Sequence, residues 1–268
     1  HVRSRRQRQM CIRDRNMMTL KTLYHFLICF LLSITTFSQA KKQYVKTKVS
    51  YNLKISIDKN LGRHQVLMKS FPEKARKIET VASEFDFSLV YNDTCSIFYI
   101  EKKLFSDNTA ANLAVILSGY YGRIKQQTHN YITENLREDF GKFLVSRPYQ
   151  KWKLYDETKQ IGEYLCFKAT TFHITKNPKG KVFKHNFIAW YTPQIPHKFG
   201  PAGYGNLPGL IIELQGENVT YGVKKIQFYD EAESKKNKMP KLRKKKLITE
   251  EKLEELAAKD EKRWRNKN

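Results

Sequence analysis

The alternation of residues 44–57, "YVKTKVSYNLKISI", constrains the fold more than any other feature of the chain. Polar or lysine side chains separate the members of one face, which are Val45, Thr47, Val49, Tyr51, Leu53, Ile55 and Ile57. A period of two over this length predicts a long strand of an antiparallel sheet, with one face on the core and the other in solvent.

Similar strand-like runs follow, with turn signals between them. Residues 85–91 and 95–102 are separated by Asn92-Asp93-Thr94, which predicts a hairpin. Further strands are predicted within residues 121–133, 142–175, 184–192, 210–214 and 219–230. The predicted turns among them are residues 156–159, 177–180 and 216–218.

A helix is predicted over 71–83, because Pro72 suits the first turn and Ala75, Ile78 and Ala82 share one face. Residues 102–120 give no clear period. Gly162 lies inside a strand-like run and indicates a bulge or a close backbone approach. Eight to ten strands joined by short turns predict a mainly β fold. We expect a meandering antiparallel sheet, rolled or half-barrel-like, with a short helix, in a single domain over residues 41–233.

The residues before this domain are interpreted as two segments. Residues 1–16 are strongly basic and aperiodic, which favours a non-native extension over a true basic arm for nucleic acid or anionic lipid. Residues 17–40 have the pattern of a signal peptide, with Lys21, an apolar block over 23–34 and a cleavage site at Ser38-Gln39-Ala40. The 12-residue block is shorter than the roughly 20 residues of a membrane span, so an uncleaved anchor is less favoured.

The charge of the chain limits the expected partners. It has 50 lysine and arginine residues against 26 acidic residues, a net charge of +24, and residues 41–268 retain +18. This balance favours an anionic envelope lipid, lipopolysaccharide, a glycan or another envelope protein as a partner. Nucleic acid is not expected, because a signal peptide directs the chain away from it. The simpler alternative is that the lysines only keep the protein soluble.

Residues 41–268 contain two cysteines, Cys95 and Cys166. Two cysteines in an exported protein can form a disulfide. Both lie in strand-like runs, so pairing requires those strands to be neighbours. The alternative is two buried thiols that pack as small hydrophobic side chains.

The composition changes after Glu233. Residues 234–246 are basic and have no apolar face, and Thr249 is a candidate cap of a following helix with Glu250 and Glu251 in its first turn. Residues 234–268 are therefore predicted to be a basic, partly helical tail. We expect such a tail to contribute little to the fold and to act as an electrostatic tether to an anionic surface.

Residues 197–214, "HKFGPAGYGNLPGLIIEL", place many turn residues directly before an apolar strand. Asn206 tolerates a left-handed conformation, and Pro208-Gly209 has the pattern of a type II turn with a positive φ at Gly209. This predicts a corner that directs 210–214 into the sheet and is anchored by Leu207, Leu210 and Ile211 or Ile212. The alternative is that the N–H groups of 203–206 grip a ligand. The residues of this turn motif are Gly200, Pro201, Gly205, Asn206, Leu207, Pro208, Gly209, Leu210 and Ile211.

The order of several motifs resembles the GLPGLI family of exported Bacteroidota proteins. "WKLYDETKQIGEYLCFKAT" at 152–170 is followed by "AWYTPQIP" at 189–196, "GP" at 200–201 and "LPGLIIEL" at 207–214. Asn206 stands where the family name has its first glycine. The resemblance implies export and the fold. It supplies no catalytic residue, because the family has no assigned activity.

Common catalytic motifs are absent from the sequence. It has no G-x-S-x-G, H-E-x-x-H or C-x-x-C motif and no phosphate loop or dinucleotide fingerprint. His173 and His185 lie on facing strand-like runs and could meet across a hairpin, and with His197 they could bind a metal. The favoured interpretation is that these histidines are structural or exposed, and no metal or cofactor is predicted.

The remaining polar and aromatic residues are interpreted structurally first. Asp156 and Glu157 are expected to be turn residues rather than an acid–base pair. Trp152 and Trp190 are expected to pack in the core, with a sugar- or lipid-stacking face as the alternative.

Two classes of function remain open. The favoured class is a non-enzymatic envelope protein that binds a lipid, a glycan or another envelope protein on a curved sheet. It would reside in the periplasm, at the outer membrane or outside the cell. The alternative is a small hydrolase, which a buried histidine–carboxylate pair in a cleft would favour.

Overall fold

The computed structural model describes residues 45–56, 71–135, 141–176 and 181–267, with the backbone alone for Lys176 and 260–267. The proposed extension over 1–16, the predicted signal peptide over 17–40 and the predicted turn over 177–180 lie outside the described residues.

Twelve strands within the described residues form one sheet. Their bounds are β1 Lys46–Ile55, β2 Asp86–Tyr91, β3 Ser96–Ile100, β4 Ile124–Gln126, β5 Asn130–Asn135, β6 Phe143–Pro148, β7 Lys153–Ile161, β8 Tyr164–Lys176, β9 Val182–Thr192, β10 Leu210–Gln215, β11 Val219–Tyr229 and β12 Leu247–Thr249. The order across the sheet is β12-β6-β5-β4-β3-β2-β1-β11-β10-β9-β8-β7.

The predicted mainly β, antiparallel fold is confirmed. Every neighbouring pair of strands is antiparallel except β12 and β6, which are parallel. The sheet has β12 and β7 at its two ends and is not closed. It has more strands than predicted, partly because 121–133 contains the hairpin β4–β5 rather than one strand.

The first strand has the predicted alternation. Val49, Tyr51, Leu53 and Ile55 are buried, whereas Asn52 and Lys54 between them are exposed. The strand lies in the middle of the sheet, between β2 and β11. Its buried face therefore defines the core face of the sheet, and the opposite face is called the outer face below.

Four helices lie within the described residues: α1 Pro72–Ala82, α2 Asn108–Ser118, α3 Glu231–Lys236 and α4 Glu250–Lys267. The structure confirms α1, which buries Ala75, Ile78, Val81 and Ala82. Within the described residues, every helix falls short of the length and apolar character that a bilayer span requires.

Helix α2 was not predicted from the sequence. It begins after Asp107, whose carboxylate accepts a hydrogen bond from Ala110 N at 2.9 Å, and it ends at Gly119 with φ +70°. Its buried residues are the small side chains Ala110, Ala111 and Ala114. Because small residues dominate that face, they allow close packing against α1 but give the sequence no strong helical period.

The predicted turn at 156–159 is wrong, since these residues lie within β7. The chain reverses instead at Gly162, which has φ +58° between β7 and β8. The register of β7 on β8 shifts between Leu154 and Thr158. The polar residues of this stretch are therefore those of an exposed edge strand, where charged side chains discourage pairing with other chains.

The tail is not separate from the domain as expected. Its residues Leu247–Thr249 form β12, which extends the sheet beyond β6, and Ile248 is 9% exposed. A three-residue strand within a basic segment is too short for an alternating pattern to be detected, so this strand was not predicted.

Charged side chains of the domain form hydrogen bonds with the backbone of this tail. The ammonium of Lys46, itself 9% exposed, donates to Ser234 O and to Asn237 O, both at 2.7 Å. The buried carboxylate of Glu134 accepts a hydrogen bond from Arg243 N at 2.6 Å. Breaking such contacts would leave buried charges without partners, which is costly. Residues 234–249 therefore belong to the folded unit.

We predict that Ile248→Ala lowers the free energy of unfolding by about 2 kcal/mol, because it removes a buried side chain of the last strand. The matched control is Leu247→Ala, which truncates a 54% exposed side chain of the same strand and should change stability by less than about 0.5 kcal/mol. Urea denaturation of both variants measures the difference. Equal midpoints for the two variants would mean that β12 does not contribute to the core.

Candidate functional site

The glycine-rich segment between β9 and β10 is a buried corner rather than an exposed loop. The predicted anchors are each at most 1% exposed: Leu207, Leu210, Ile211 and Ile212. Phe199 and Gly200 are buried as well, whereas Asn206 and Pro208 are exposed. The corner therefore directs β10 into the sheet, as the sequence predicted.

The backbone conformations of this corner correct one prediction. Asn206 has φ +64°, which confirms the predicted left-handed position. Gly209 does not have a positive φ, so the predicted type II turn is wrong. Gly209 is required for a different reason, because a Cβ atom there would lie 2.1 Å from Thr192 O. The two chain segments approach more closely than any side chain permits.

The side chain of Gln126 holds the corner against the sheet. This amide is completely buried on β4. Its Oε1 accepts hydrogen bonds from Ser96 Oγ at 2.9 Å and from Gly200 N at 3.3 Å, and its Nε2 donates to Tyr204 O at 2.9 Å. One side chain therefore satisfies backbone groups on both sides of Pro201.

The hydrogen bonds of the corner favour a structural role over ligand binding. Tyr204 N donates to Pro201 O, and Asn206 N donates to Lys198 O at 2.8 Å. Trp152 Nε1 donates to Gly205 O at 2.8 Å. Two of the four N–H groups over 203–206 are thus used within the corner and are unavailable to a ligand.

The proposed disulfide is absent, and both cysteines are free thiols. Cys95 precedes β3 and Cys166 lies in β8, and five strands separate β3 from β8 in the sheet. The strands are not neighbours, which was the condition for pairing. Burial, with the carboxylate of Glu213 nearby, raises the pKa of the Cys166 thiol to about 11, so this thiol is protonated at neutral pH.

The three histidines do not form a common metal site. His173 and His185 are directly opposite on β8 and β9, as expected. His197 lies elsewhere, with its ring 4.8 Å from that of Tyr91. Nowhere in the described part of the chain do three or more histidine, cysteine or acidic side chains come close enough to hold a metal ion.

His185 instead links a hydroxyl to a carboxylate. Its Nε2 lies 3.0 Å from Thr175 Oγ1, and its Nδ1 lies 3.3 Å from Glu217 Oε2. The side chains of His185 and Glu217 are 26% and 33% exposed, so the pair is accessible rather than buried. Sequence reasoning missed Thr175 and Glu217, because Glu217 lies in the turn before β11 and comes near His185 only through the pairing of β10 with β9.

His173 lies on the same core face of the sheet. Burial lowers the pKa of its imidazole, with Glu250 opposing this change and Arg147 adding to it. Arg147 Nε donates to Glu250 Oε1 at 2.8 Å. The core face of β8 therefore lies near the start of α4.

The outer face of β7, β8 and β9 carries lysines held over aromatic rings. This surface, called the basic face, comprises Lys153, Tyr155, Lys159, Lys168 and Trp190. Lys168 on β8 is directly opposite Trp190 on β9. Lys159 on β7 is opposite Cys166, which lies two residues before Lys168 on β8. The side chains of Lys159, Lys168 and Trp190 therefore share one side of the sheet. Trp190 is half-buried and packs against the core, as expected, and its ring also lies beneath Lys159 of this face.

The ammonium groups of the basic face lie close to the rings. Lys153 Nζ and Lys168 Nζ lie 5.0 and 5.4 Å from the centroid of Tyr155, and Lys159 Nζ lies 5.4 Å from the centroid of Trp190. These are cation–π distances, worth about 0.5–1 kcal/mol each at exposed sites. A hydrogen bond from Thr170, with the two lysines adding to it, lowers the pKa of the Tyr155 hydroxyl.

Two carboxylates neutralise part of this surface. Glu157 accepts from Lys168 at 2.8 Å, and Glu213 lies 3.0 Å from Lys159 Nζ. Exposed ion pairs of this kind contribute little to stability, so they are readily exchanged for other anions. Glu157 therefore lies in a charged surface cluster and not in the turn predicted for it.

Comparisons with known proteins give one family and one group of structures. A family model described as a protein of unknown function, Porph_ging, matches residues 152–187 and 175–213, which include β7, β8, β9 and the corner. No curated protein matches the sequence.

Two crystal structures of PNGF-II, in space groups C2 and P21, are similar to the chain at 11% sequence identity and a TM-score of 0.45. Each comparison covers 81% of this chain and 33% or 34% of the PNGF-II chain. The chain thus spans about one third of the length of these structures.

We predict that Gly209→Ala lowers the free energy of unfolding by more than about 2 kcal/mol, because the added methyl group overlaps Thr192 O. The control Gly162→Ala has open space around it and a positive φ, so it should cost only about 1 kcal/mol. Asn206→Gly should change stability little, since glycine accepts a left-handed conformation. Thermal melts rank the three variants, and equal losses for the two alanine variants would contradict the close-approach explanation.

Proposed function

We propose that the protein is an exported envelope protein of the GLPGLI family with a binding role rather than a catalytic one. Its ligand would be an acidic envelope glycan, such as the phosphorylated saccharide of lipopolysaccharide. The observation that carries the proposal is the basic face, where three lysines lie over two aromatic rings on an accessible surface. The signal-peptide pattern of residues 17–40 and the motifs shared with that family support export.

The chemistry of the basic face suits an acidic saccharide. Ammonium groups donate charge-assisted hydrogen bonds to phosphate or carboxylate oxygens. Because the rings already hold Lys153, Lys159 and Lys168 in place, less side-chain entropy is lost when a ligand binds. The apolar edges of Tyr155 and Trp190 would contact the C–H faces of sugar rings. Glu157 and Glu213 would release their lysines to the incoming anion.

The test is the triple variant Lys153→Gln, Lys159→Gln and Lys168→Gln with soluble polygalacturonate oligomers as the probe. We expect its affinity to fall about tenfold, which corresponds to about 0.5 kcal/mol for each lost exposed contact. Titration calorimetry measures the binding constants, and neutral dextran serves as the uncharged probe.

The matched control removes the same charge elsewhere, through Lys235→Gln, Lys236→Gln and Lys238→Gln at and just after α3. These lysines are exposed and distant in sequence from the basic face. The control should retain the affinity of the parent. An equal loss in both triple variants would mean that total charge, and not this face, determines binding.

A second candidate, hydrolysis of an ester, is favoured by the chain of contacts from Thr175 through His185 to Glu217. In this arrangement His185 Nε2 would take the proton of Thr175 Oγ1 as the oxygen attacks a carbonyl. The imidazolium would then give the proton to the departing alkoxide, and a water activated by the same imidazole would cleave the acyl ester left on Thr175. Glu217 would orient the ring in both steps.

This candidate predicts measurable hydrolysis of p-nitrophenyl acetate that is lost in both Thr175→Val and His185→Asn. The hydroxyl and the imidazole would act as a unit, so either change should reduce the rate to that of the buffer. His129→Asn is the control, since His129 is exposed and lies between β4 and β5. Hydrolysis rates that are unchanged in the first two variants would exclude this candidate.

A further inference from the structure

The hairpin of β8 and β9 extends beyond the ends of its two flanking strands, β7 and β10. The pairing of β7 with β8 stops at Lys153 opposite Thr170, and the pairing of β10 with β9 stops at Gln215 opposite Ile188. Residues 171–176 and 182–187 pair with each other but have no flanking strand within the described residues. We call these two segments the finger. Six residues of extended chain reach about 20 Å.

The outer side of the finger is apolar and exposed. Phe172, Ile174 and Val182 are 50%, 49% and 53% exposed. The register places them on one side, because Phe172 is opposite Asn186, Ile174 is opposite Lys184, and Val182 is opposite residue 176. An isolated hairpin is marginally stable in water, and an exposed apolar group of this kind marks an interaction site.

The hairpin that carries this apolar group is basic in sequence. The sequence from 164 to 190 contains no aspartate or glutamate and five lysines, which are Lys168, Lys176, Lys179, Lys181 and Lys184. Lys184 Nζ lies 4.4 Å from the centroid of Phe172, and Lys181 Nζ lies 5.3 Å from the centroid of Phe183. The finger therefore combines apolar side chains with cationic groups a few ångströms away.

We propose that the finger is a membrane anchor, which inserts Phe172, Ile174 and Val182 into the interfacial region of an anionic lipid bilayer. Apolar side chains gain free energy at the boundary between headgroups and acyl chains, and neighbouring lysines extend to the anionic headgroups. Each basic residue near such a surface adds on the order of 1 kcal/mol, screened by salt. This site is distinct from the basic face, which lies on the part of these strands where β7 pairs with β8.

Two other occupants fit the finger less well. A second copy of the chain would bring the basic sequence of residues 164–190 against itself, with no acidic residue within that sequence in either copy, which is unfavourable. A soluble saccharide would satisfy the lysines but would gain nothing from the exposed aliphatic side chains of Ile174 and Val182. A bilayer of anionic lipids satisfies both groups at once.

The test is co-sedimentation of the full chain with vesicles of 30% phosphatidylglycerol and 70% phosphatidylcholine. The double variant Phe172→Ser and Ile174→Ser should lose at least about tenfold in its partition coefficient, because two inserted apolar groups are removed. The matched control is Leu104→Ser and Ile116→Ser, whose parent side chains are 93% and 59% exposed outside the finger. Thermal melts of both double variants establish that they are folded.

Three results would overturn the proposal. The first is an equal partition coefficient for the two double variants. The second is equal binding of the parent to pure phosphatidylcholine vesicles at low salt. The third is self-association of the parent protein, measured by sedimentation velocity, that is lost in the finger variant and retained in the control variant. The finger variant should still bind polygalacturonate, because its basic face is intact, so loss of vesicle binding and failure of the glycan proposal are distinguishable.

Discussion

The buried amide of Gln126 is the contact on which the arrangement of this protein depends. It lies on β4 and bonds to Ser96, Gly200 and Tyr204, so it joins two strands of one half of the sheet to the corner that precedes β10. A buried amide is costly unless all its groups are satisfied, and here both ends have partners. The same corner accepts a hydrogen bond from Trp152, directly before β7. One short segment thus sets where the hairpins β7–β8 and β8–β9 begin.

The two faces of the sheet have different roles. The core face is filled by aromatic rings, such as Phe87 stacked on Phe98 at 5.1 Å, and by helices α1 and α2. The outer face of β7–β9 has no such cover among the described residues, and its lysines lie over Tyr155 and Trp190. The corner is therefore a structural element. The proposed binding surfaces belong to the hairpins that it positions.

The candidate site was only partly predictable from the sequence. The position of Asn206 and the pairing of His173 with His185 follow from local rules, because left-handed residues and hairpin registers leave local signals. The contact between His185 and Glu217 has no local signal, since it depends on how strands 30 residues apart meet in the sheet. The lysine–ring pairs of β7 were likewise hidden, because a polar stretch at an edge strand resembles a turn.

The sequence by itself determined the mainly β character of the fold, the central strand β1, helix α1 and the buried anchors of the corner. These depend on short-range periodicity and on turn residues, whose effects act within a few positions. Only the tertiary structure decided that Gly209 is needed for space rather than for its φ, that the cysteines stay apart and that residues 247–249 complete the sheet. Each of these results depends on the distance between segments far apart in the chain. Such distances are set by the packing of the whole core, which no local pattern encodes.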